Sequence, residues 1–445
     1  MCLCLIGIDW LDDFFKNKKG KTFYICTYVK HPSHLKAKIY MRKLLLIVPC
    51  ATSGTIGRCS HNLFRAFLQR QEIELRVFLL YKTKEDFFDF GNPYYIPNVR
   101  TDFWGRIWKI FKSVLFLRKI KKEWKPDLSI GTLNVCSTYN LLSGGREKKI
   151  GIFHGEFSWK TMEHKSIVAL IWGKFCYRFL FPWLDWRVSV SARVKKLTEG
   201  YVRSSKGKAC VIYNAHDIDS ILAQSKLLPH LDDALVYDND VILVVGALVE
   251  NKGICRLIRA FSLVKKITPN LNLVFLGRDL GEKEKAISLA KSLNLEKSIF
   301  FVEHTPNPYP YIKNAKLLVS ASYSEGLPGV LCEAGVLNVP VVATNSSAGV
   351  WEILDCIENY DENLTGIYWA KKGAIVQNHS SSKSVRENAE LTDDEEALAK
   401  AISKYLSDSK LYEQTKSHEN LFLDKIRFEA VASQFLTLIK ELPSK

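Results

Sequence analysis

No stretch of the 445 residues runs through the ~20 consecutive apolar positions that a helix needs to cross a bilayer. The nearest approach, Ser166 to Leu184, is broken by Lys174 and Arg178 and reads as a buried helix rather than a span. The eleven cysteines include no C-x-x-C pair, and no His/Cys cluster stands at zinc spacing. A reduced, cytosolic compartment is therefore expected. The apolar start Cys2 to Ile8 has no basic segment before it and meets Asp9 at once, so it does not read as a secretory leader. Neither an aromatic RNA-binding motif nor a zinc site backs the basic residues, which argues against nucleic acid as a partner.

What is present describes a globular chain: 47% hydrophobic and 25% charged residues, at a length that predicts two domains of roughly 200 residues. The net charge of +16 is unevenly spread. Residues 41–215 carry 31 Lys and Arg against 13 Asp and Glu, whereas residues 216–445 carry 25 against 31. That asymmetry implies different partners for the two halves, with an anionic membrane surface as the candidate for the basic one. Residues 1–40 show no sustained periodicity, and the pattern clears at Met41, which is read as a candidate initiator preceding a buried strand from Leu44 to Val48.

From there strands and helices alternate. The loop CATSGTIGRCS follows the first strand, and its Gly54 and Gly57 are candidates to let a phosphate or an acceptor approach the backbone. A second strand covers Leu75 to Tyr81. Trp104 to Lys125 then reads as an amphipathic helix, with Trp104, Ile107, Trp108, Phe111, Val114 and Leu115 on one side. A basic cluster of Arg118, Lys119, Lys121, Lys122 and Lys125 follows, a combination suited to a membrane surface. His154 stands at the end of the strand Lys149 to Phe153, where a side chain of a parallel sheet points into a ligand crevice.

The second half opens with the strand Val241 to Gly246 and a loop at whose end Lys252 is placed to neutralise a diphosphate. The most informative stretch is Leu317 to Leu354. It reads as a strand to Ala321, a turn from Tyr323 to Gly326, a helix opened by Pro328 and stopped by Asn338 and Pro340, and a strand from Val339. The first helical turn has N–H groups without partners and the positive end of the dipole, so Gly326, Leu327, Gly329 and Val330 form an anion site. Glu325 and Glu333 bracket it. At ~1.5 Å per residue, Glu333 lies about one and a half turns past the helix start, within reach of a ribose carried by a bound diphosphate. Residues 371–393 are polar and Ser-rich and read as a loop.

Glu325 and Glu333, within SEGLPGVLCEA, resemble the signature of the retaining glycosyltransferases of family 4, which have the GT-B fold. The resemblance extends over nearly everything from Met41 onward. It implies an α/β protein of two Rossmann-like, doubly wound domains facing a central cleft: an acceptor domain at 41–215, a nucleotide-sugar domain at 216–425, and a helix at 426–445 crossing back to the first. It implies Glu325, His154 and Lys252 as catalytic residues, with His154 hydrogen-bonded to the donor sugar. Glu333, Gly326, Leu327, Gly54, Gly57, Gly329 and Val330 are then donor-binding.

Two departures stand out. Ser53-Gly54 replaces the family's double glycine, and Ala247 stands where relatives carry an arginine, with Arg256 or Arg278 as candidates to compensate. The implied reaction moves a hexose or N-acetylhexosamine from a nucleotide diphosphate such as UDP to a lipid-linked or saccharide acceptor, with retention and without a cofactor or metal. The implied place is cytoplasmic, against the inner face of the plasma membrane. Two alternatives are a non-catalytic subunit of the same fold and a metal-dependent GT-A-type transferase using Asp217-Ile218-Asp219 or Asp238-Asn239-Asp240.

Overall fold

The computed structural model describes residues 41–440 apart from 53, 83–85, 97–102, 156–166, 203–206, 230–236, 238, 358–359 and 380–389. The expectations at residues 1–40 and at Asp238 lie outside the described residues. Within them are two seven-stranded sheets. The first contains β1 (Arg42–Val48), β2 (Ile73–Leu79), β3 (Tyr94–Tyr95), β4 (Leu128–Gly131), β5 (Lys148–Phe153), β6 (Trp186–Ser189) and β7 (Lys208–Val211). All are parallel, in the order β3-β2-β1-β4-β5-β6-β7. Between them run α1 (Thr55–Leu68), α2 (Phe103–Trp124), α3 (Asn134–Leu142), α4 (Ile167–Phe175) and α5 (Ala192–Val202), and α6 (Ile218–Gln224) follows the last strand.

The second sheet contains β8 (Asp240–Val245), β9 (Leu271–Leu276), β10 (Ile299–Val302), β11 (Leu317–Ser320), β12 (Val341–Thr344), β13 (Ile367–Ala370) and β14 (Gly373–Val376). Its order is β10-β9-β8-β11-β12-β14-β13, parallel except for the β13–β14 hairpin. Its helices are α7 (Ile254–Ile267), α8 (Lys283–Ser292), α9 (Tyr309–Asn314), α10 (Gly329–Val336) and α11 (Ala348–Asp355). The chain then runs through α12 (Asp393–Ser407), α13 (Ser409–Ser417), α14 (Phe422–Ile426) and α15 (Phe428–Lys440).

Near-continuous apolar runs form these strands because both faces are covered: Leu44 to Val48 and Leu271 to Leu276 are buried throughout. Each sheet reverses its strand order once, between β1 and β4 and between β8 and β11. Crevices for ligands open at the carboxyl ends of strands at such points. The last helix returns to the first sheet, where α15 packs on α1 with the Phe67 and Phe435 rings 5.7 Å apart. One apolar cluster consequently runs from β1 and α1 through β11 and β12 to α15.

Three expectations are corrected, at Ser166–Leu184, at Lys121 and at the stretch from 371. The segment read as a buried helix up to Leu184 is α4, a π turn at Cys176–Leu180 and a 3-10 turn at Phe181–Trp183. Among its described side chains, from Ile171 onward, it buries only Cys176, Tyr177, Phe181 and Leu184, leaving Ile171, Trp172, Phe175, Phe179 and Trp183 exposed. The segment has two apolar stripes and the core accepts one. In α2 the packed face is Ser113, Leu117, Ile120 and Trp124, while Trp108, Phe111 and Leu115 face solvent.

Lys121 does not belong to a solvated basic cluster. It is buried, 2.8 Å from Glu147 and hydrogen-bonded to Asn140 Oδ1 at 2.7 Å. Burial brings its pKa down to about 8 against the pull of Glu147. Finally, the stretch read as a loop from 371 begins with β14, whose Gly373–Val376 run is too short to announce itself yet is wholly buried beside β12.

Candidate active site

The two switch points face one cavity of about 550 Å³. From the first domain it is lined by Thr52 and Gly54 after β1 and by Thr55, Arg58, Cys59 and Asn62 of α1. The second domain contributes the ends of β8, β9 and β11 and the start of α10.

After β8 the chain turns at Gly246 (φ 152°), where Gly277 approaches so closely that any Cβ on Gly277 would sit 1.9 Å from the Gly246 carbonyl oxygen. A 3-10 turn at Glu250–Lys252 and left-handed Gly253 then launch α7. This turn aims Lys252 into the cavity, where its Nζ lies 2.5 Å from Glu325 Oε1. After β11, Glu325 is fixed by its own N–H, which donates to the Ser346 carbonyl at 3.2 Å. Gly326 follows, and a Cβ there would stand 2.0 Å from the His154 carbonyl oxygen. Only a glycine lets the two domains meet at this spot.

Pro328 is the N-cap of α10 and provides no side-chain cap. The first N–H groups of the helix, at Gly329 and Val330, therefore stand at the cavity wall beside Leu327. Glu333 lies further along α10, buried, with Oε1 3.2 Å from Arg58 Nη1. Burial pushes its pKa above the ordinary glutamate value, and Arg58 pulls against that shift. Arg58 also donates to the Tyr309 hydroxyl at 3.4 Å. This arginine escaped sequence reasoning. Its only signal was its place one turn into the helix that follows the Gly54 loop.

The remaining expected residues fall as follows. Glu325, Glu333, Lys252, Leu327, Gly329, Val330 and Gly54 come together at the large cavity. Gly57 does not line it: its missing Cβ makes room for the Thr52 carbonyl, which would otherwise be 2.0 Å away, so Gly57 shapes the loop. His154 lines a small void of about 20 Å³ with Cys59, Ser60, Thr132 and Asn214, space for one water. Burial lowers its pKa to about 4 against a hydrogen bond with the Thr132 backbone, leaving a neutral ring at physiological pH.

Arg256 does not compensate for Ala247. It is buried, bonded to the Ala321 carbonyl and to Asn378 Oδ1, stacked over Tyr323 and 3.6 Å from Asp394. Arg278 does line the cavity. Asp217 caps α6 through the Ser220 N–H and pairs with Arg65 at 2.6 Å, which employs one of the carboxylates of the Asp-x-Asp reading. A further bridge between the domains runs from the Ala192 N–H to Glu352 Oε1 at 2.7 Å.

Residues 233–420 match the profile of the family described as Glycosyl transferases group 1. The chain carries a group 1 glycosyltransferase domain. An uncharacterized glycosyltransferase of Methanocaldococcus jannaschii is 27% identical to this chain over 317 residues, covering 68% of this chain and 77% of the relative. A Campylobacter jejuni protein named as an α-1,4-N-acetyl-D-galactosaminyltransferase of a diphospho-undecaprenol-linked saccharide is 22% identical, covering 90% of this chain and 99% of its own. Among solved structures, HepE of Anabaena, crystallised with UDP and glucose, superposes with a TM-score of 0.66 at 16% identity, over 90% of this chain and all of the other. The fold is thus the GT-B arrangement of two Rossmann-like domains about a cleft.

Proposed function

We propose that this glycosyltransferase moves a hexose or N-acetylhexosamine from a UDP-linked donor to a lipid-linked or saccharide acceptor, with retention of configuration. The observation that carries the reading is the convergence of Glu325, Lys252, Glu333 and the uncapped start of α10 on one cavity. The names of the relatives support it: the Campylobacter enzyme's acceptor is diphospho-undecaprenol-linked, and HepE was crystallised with UDP and glucose.

In this reading the diphosphate lies against the N–H groups of Gly329 and Val330, with Lys252 turning from Glu325 to an oxygen of the leaving phosphate. Glu333 accepts hydrogen bonds from the ribose hydroxyls, and Glu325 faces the sugar. The bond between the sugar's anomeric carbon and the diphosphate oxygen breaks through an oxocarbenium-like transition state. The acceptor oxygen forms its bond on the same face, and its proton passes to the departing diphosphate. Lys252 and the helix start stabilise the charge that gathers there.

A lipid-linked acceptor would put the reaction at a membrane, and two exposed aromatic stripes support that reading. Trp108 and Phe111 stack at 5.7 Å on α2, and Trp172 and Phe175 stack at 5.5 Å on α4. Both helices follow strands of the parallel first sheet, so both begin toward its carboxyl edge, the edge that carries His154. Among the described residues no helix is long and apolar enough to cross a membrane. We therefore assign the stripes and the surrounding Lys and Arg to docking on an anionic bilayer. Calorimetry with UDP, followed by turnover of UDP-sugars, tests the donor; absence of UDP binding by the purified protein would overturn the reading.

A further inference from the structure

Among the described residues, the arginine and lysine side chains lining the cavity are Arg58, Lys252 and Arg278. Lys252 and Arg278 belong to the second domain, whereas Arg58 reaches in from α1 of the first. Its Nη1 makes both of its described contacts, to Glu333 at 3.2 Å and to the Tyr309 hydroxyl at 3.4 Å. A guanidinium has five N–H donors in a fixed fork, so three remain on Nε and Nη2, and among the described residues they have no partner. The side chain is 25% exposed, and the exposure is to the cavity it lines. Glu333 holds one edge of the fork in place, and the cavity that Arg58 lines is also lined by Gly329 and Val330 at the uncapped start of α10.

We propose that Arg58 is a donor-binding residue lent by the first domain: with Nη1 anchored on Glu333, its remaining N–H groups bind the diphosphate of a UDP-linked donor. The inference rests on the reading of this cavity as the donor site. It gives the anchored pair two tasks. Arg58 sets the carboxylate of Glu333 for the ribose, and Glu333 sets the guanidinium for the phosphates. Because the pair joins α1 to α10, a donor is fully held only when the two domains face each other as they do here.

The test is calorimetric titration with UDP and, separately, with uridine, which lacks the phosphates. The proteins are the native chain, Arg58→Gln, Arg58→Lys, Glu333→Gln and the double variant Arg58→Gln/Glu333→Gln. Loss of a charge-assisted contact to phosphate predicts a drop in UDP affinity of about tenfold or more in Arg58→Gln, larger than the loss for uridine that follows from releasing Glu333. Arg58→Lys should recover part of the loss, since an ammonium restores the charge without the fork. A further loss of UDP affinity, smaller than in the native background because the guanidinium has lost its anchor, should appear when Arg58→Gln is added to Glu333→Gln, because the contact is made directly and not only by tuning the carboxylate. Equal losses for UDP and uridine, no further loss in the Glu333→Gln background, or unchanged UDP binding in Arg58→Gln would overturn the proposal. Failure of the native chain to bind UDP at all would instead overturn the donor-site reading on which it stands.

Discussion

Replacing Lys252 with alanine separates the energetics of the site from those of the fold. The ammonium lies 2.5 Å from Glu325, yet the two side chains retain 29% and 16% of their exposure. A pair that solvent still reaches contributes at most about 1 kcal/mol to stability, so the melting temperature should move by no more than a few degrees. The effect on donor binding should be far larger. A diphosphate approaching the native cavity meets an ammonium able to turn from one carboxylate oxygen to a phosphate oxygen. In the variant it meets Glu325 with no counter-charge beside it. Loss of a charged hydrogen bond costs about 1.5 to 3 kcal/mol, which lowers UDP affinity by one to two orders of magnitude. Calorimetry against UDP reads the first number and thermal denaturation the second. The reasoning is refuted if UDP binds as before, or if the variant loses affinity only in proportion to a collapse in stability.

Other consequences are open to measurement. Activity should survive EDTA, because the proposed charges come from Lys252 and a helix start; loss restored by Mn²⁺ would shift the weight to a metal-dependent mechanism. Lys121→Met should destabilise the chain by about 1 to 3 kcal/mol by removing one of the two lysines that pair with buried Glu147, with Lys149 remaining, whereas Lys119→Met should change little; equal effects in denaturant melts would contradict the buried pair. Binding to phosphatidylglycerol vesicles should be strong at low salt and fade as the Debye length falls from about 10 Å at 0.1 M to about 3 Å at 1 M. Changing Trp108, Trp172 and Phe175 together to serine should weaken it at all salt concentrations, and vesicle binding that ignores both changes would remove the membrane role. Gly326→Ala should lower turnover sharply by pushing Gly326 and the His154 carbonyl apart; full activity would show that this close approach is dispensable.

Much of the architecture was legible because buried parallel strands are written as apolar runs, as in Leu44–Val48 and Leu271–Leu276. Glu325 and Glu333 could be read because a turn and an eight-residue helix fix their spacing locally. Arg58 could not. Its meaning lies in a contact with a residue 275 positions away, and no local pattern marks which arginine of an amphipathic helix points across a cleft. The fate of Ser166–Leu184 was hidden for a related reason: hydrophobicity states that a stripe avoids water, not whether protein or something else covers it. Lys121 shows the converse, since a lysine in a basic run gives no sign that Asn140 and Glu147 wait for it beneath.

The return of α15 to α1 carries a consequence for the making of the chain. Phe67 leaves the ribosome long before Phe435, which packs on it. At about 5 to 20 residues per second, the 368 positions between them take roughly 20 to 70 s to synthesise. Throughout that time one side of α1 has no cover, and for the last 224 positions, after β7 ends at Val211, its own sheet is already complete. The first domain therefore keeps an open flank until α15 arrives. A nonsense codon at position 435 would leave both sheets intact and still remove Phe435, Leu436 and Leu438 from the core of the domain at the other end.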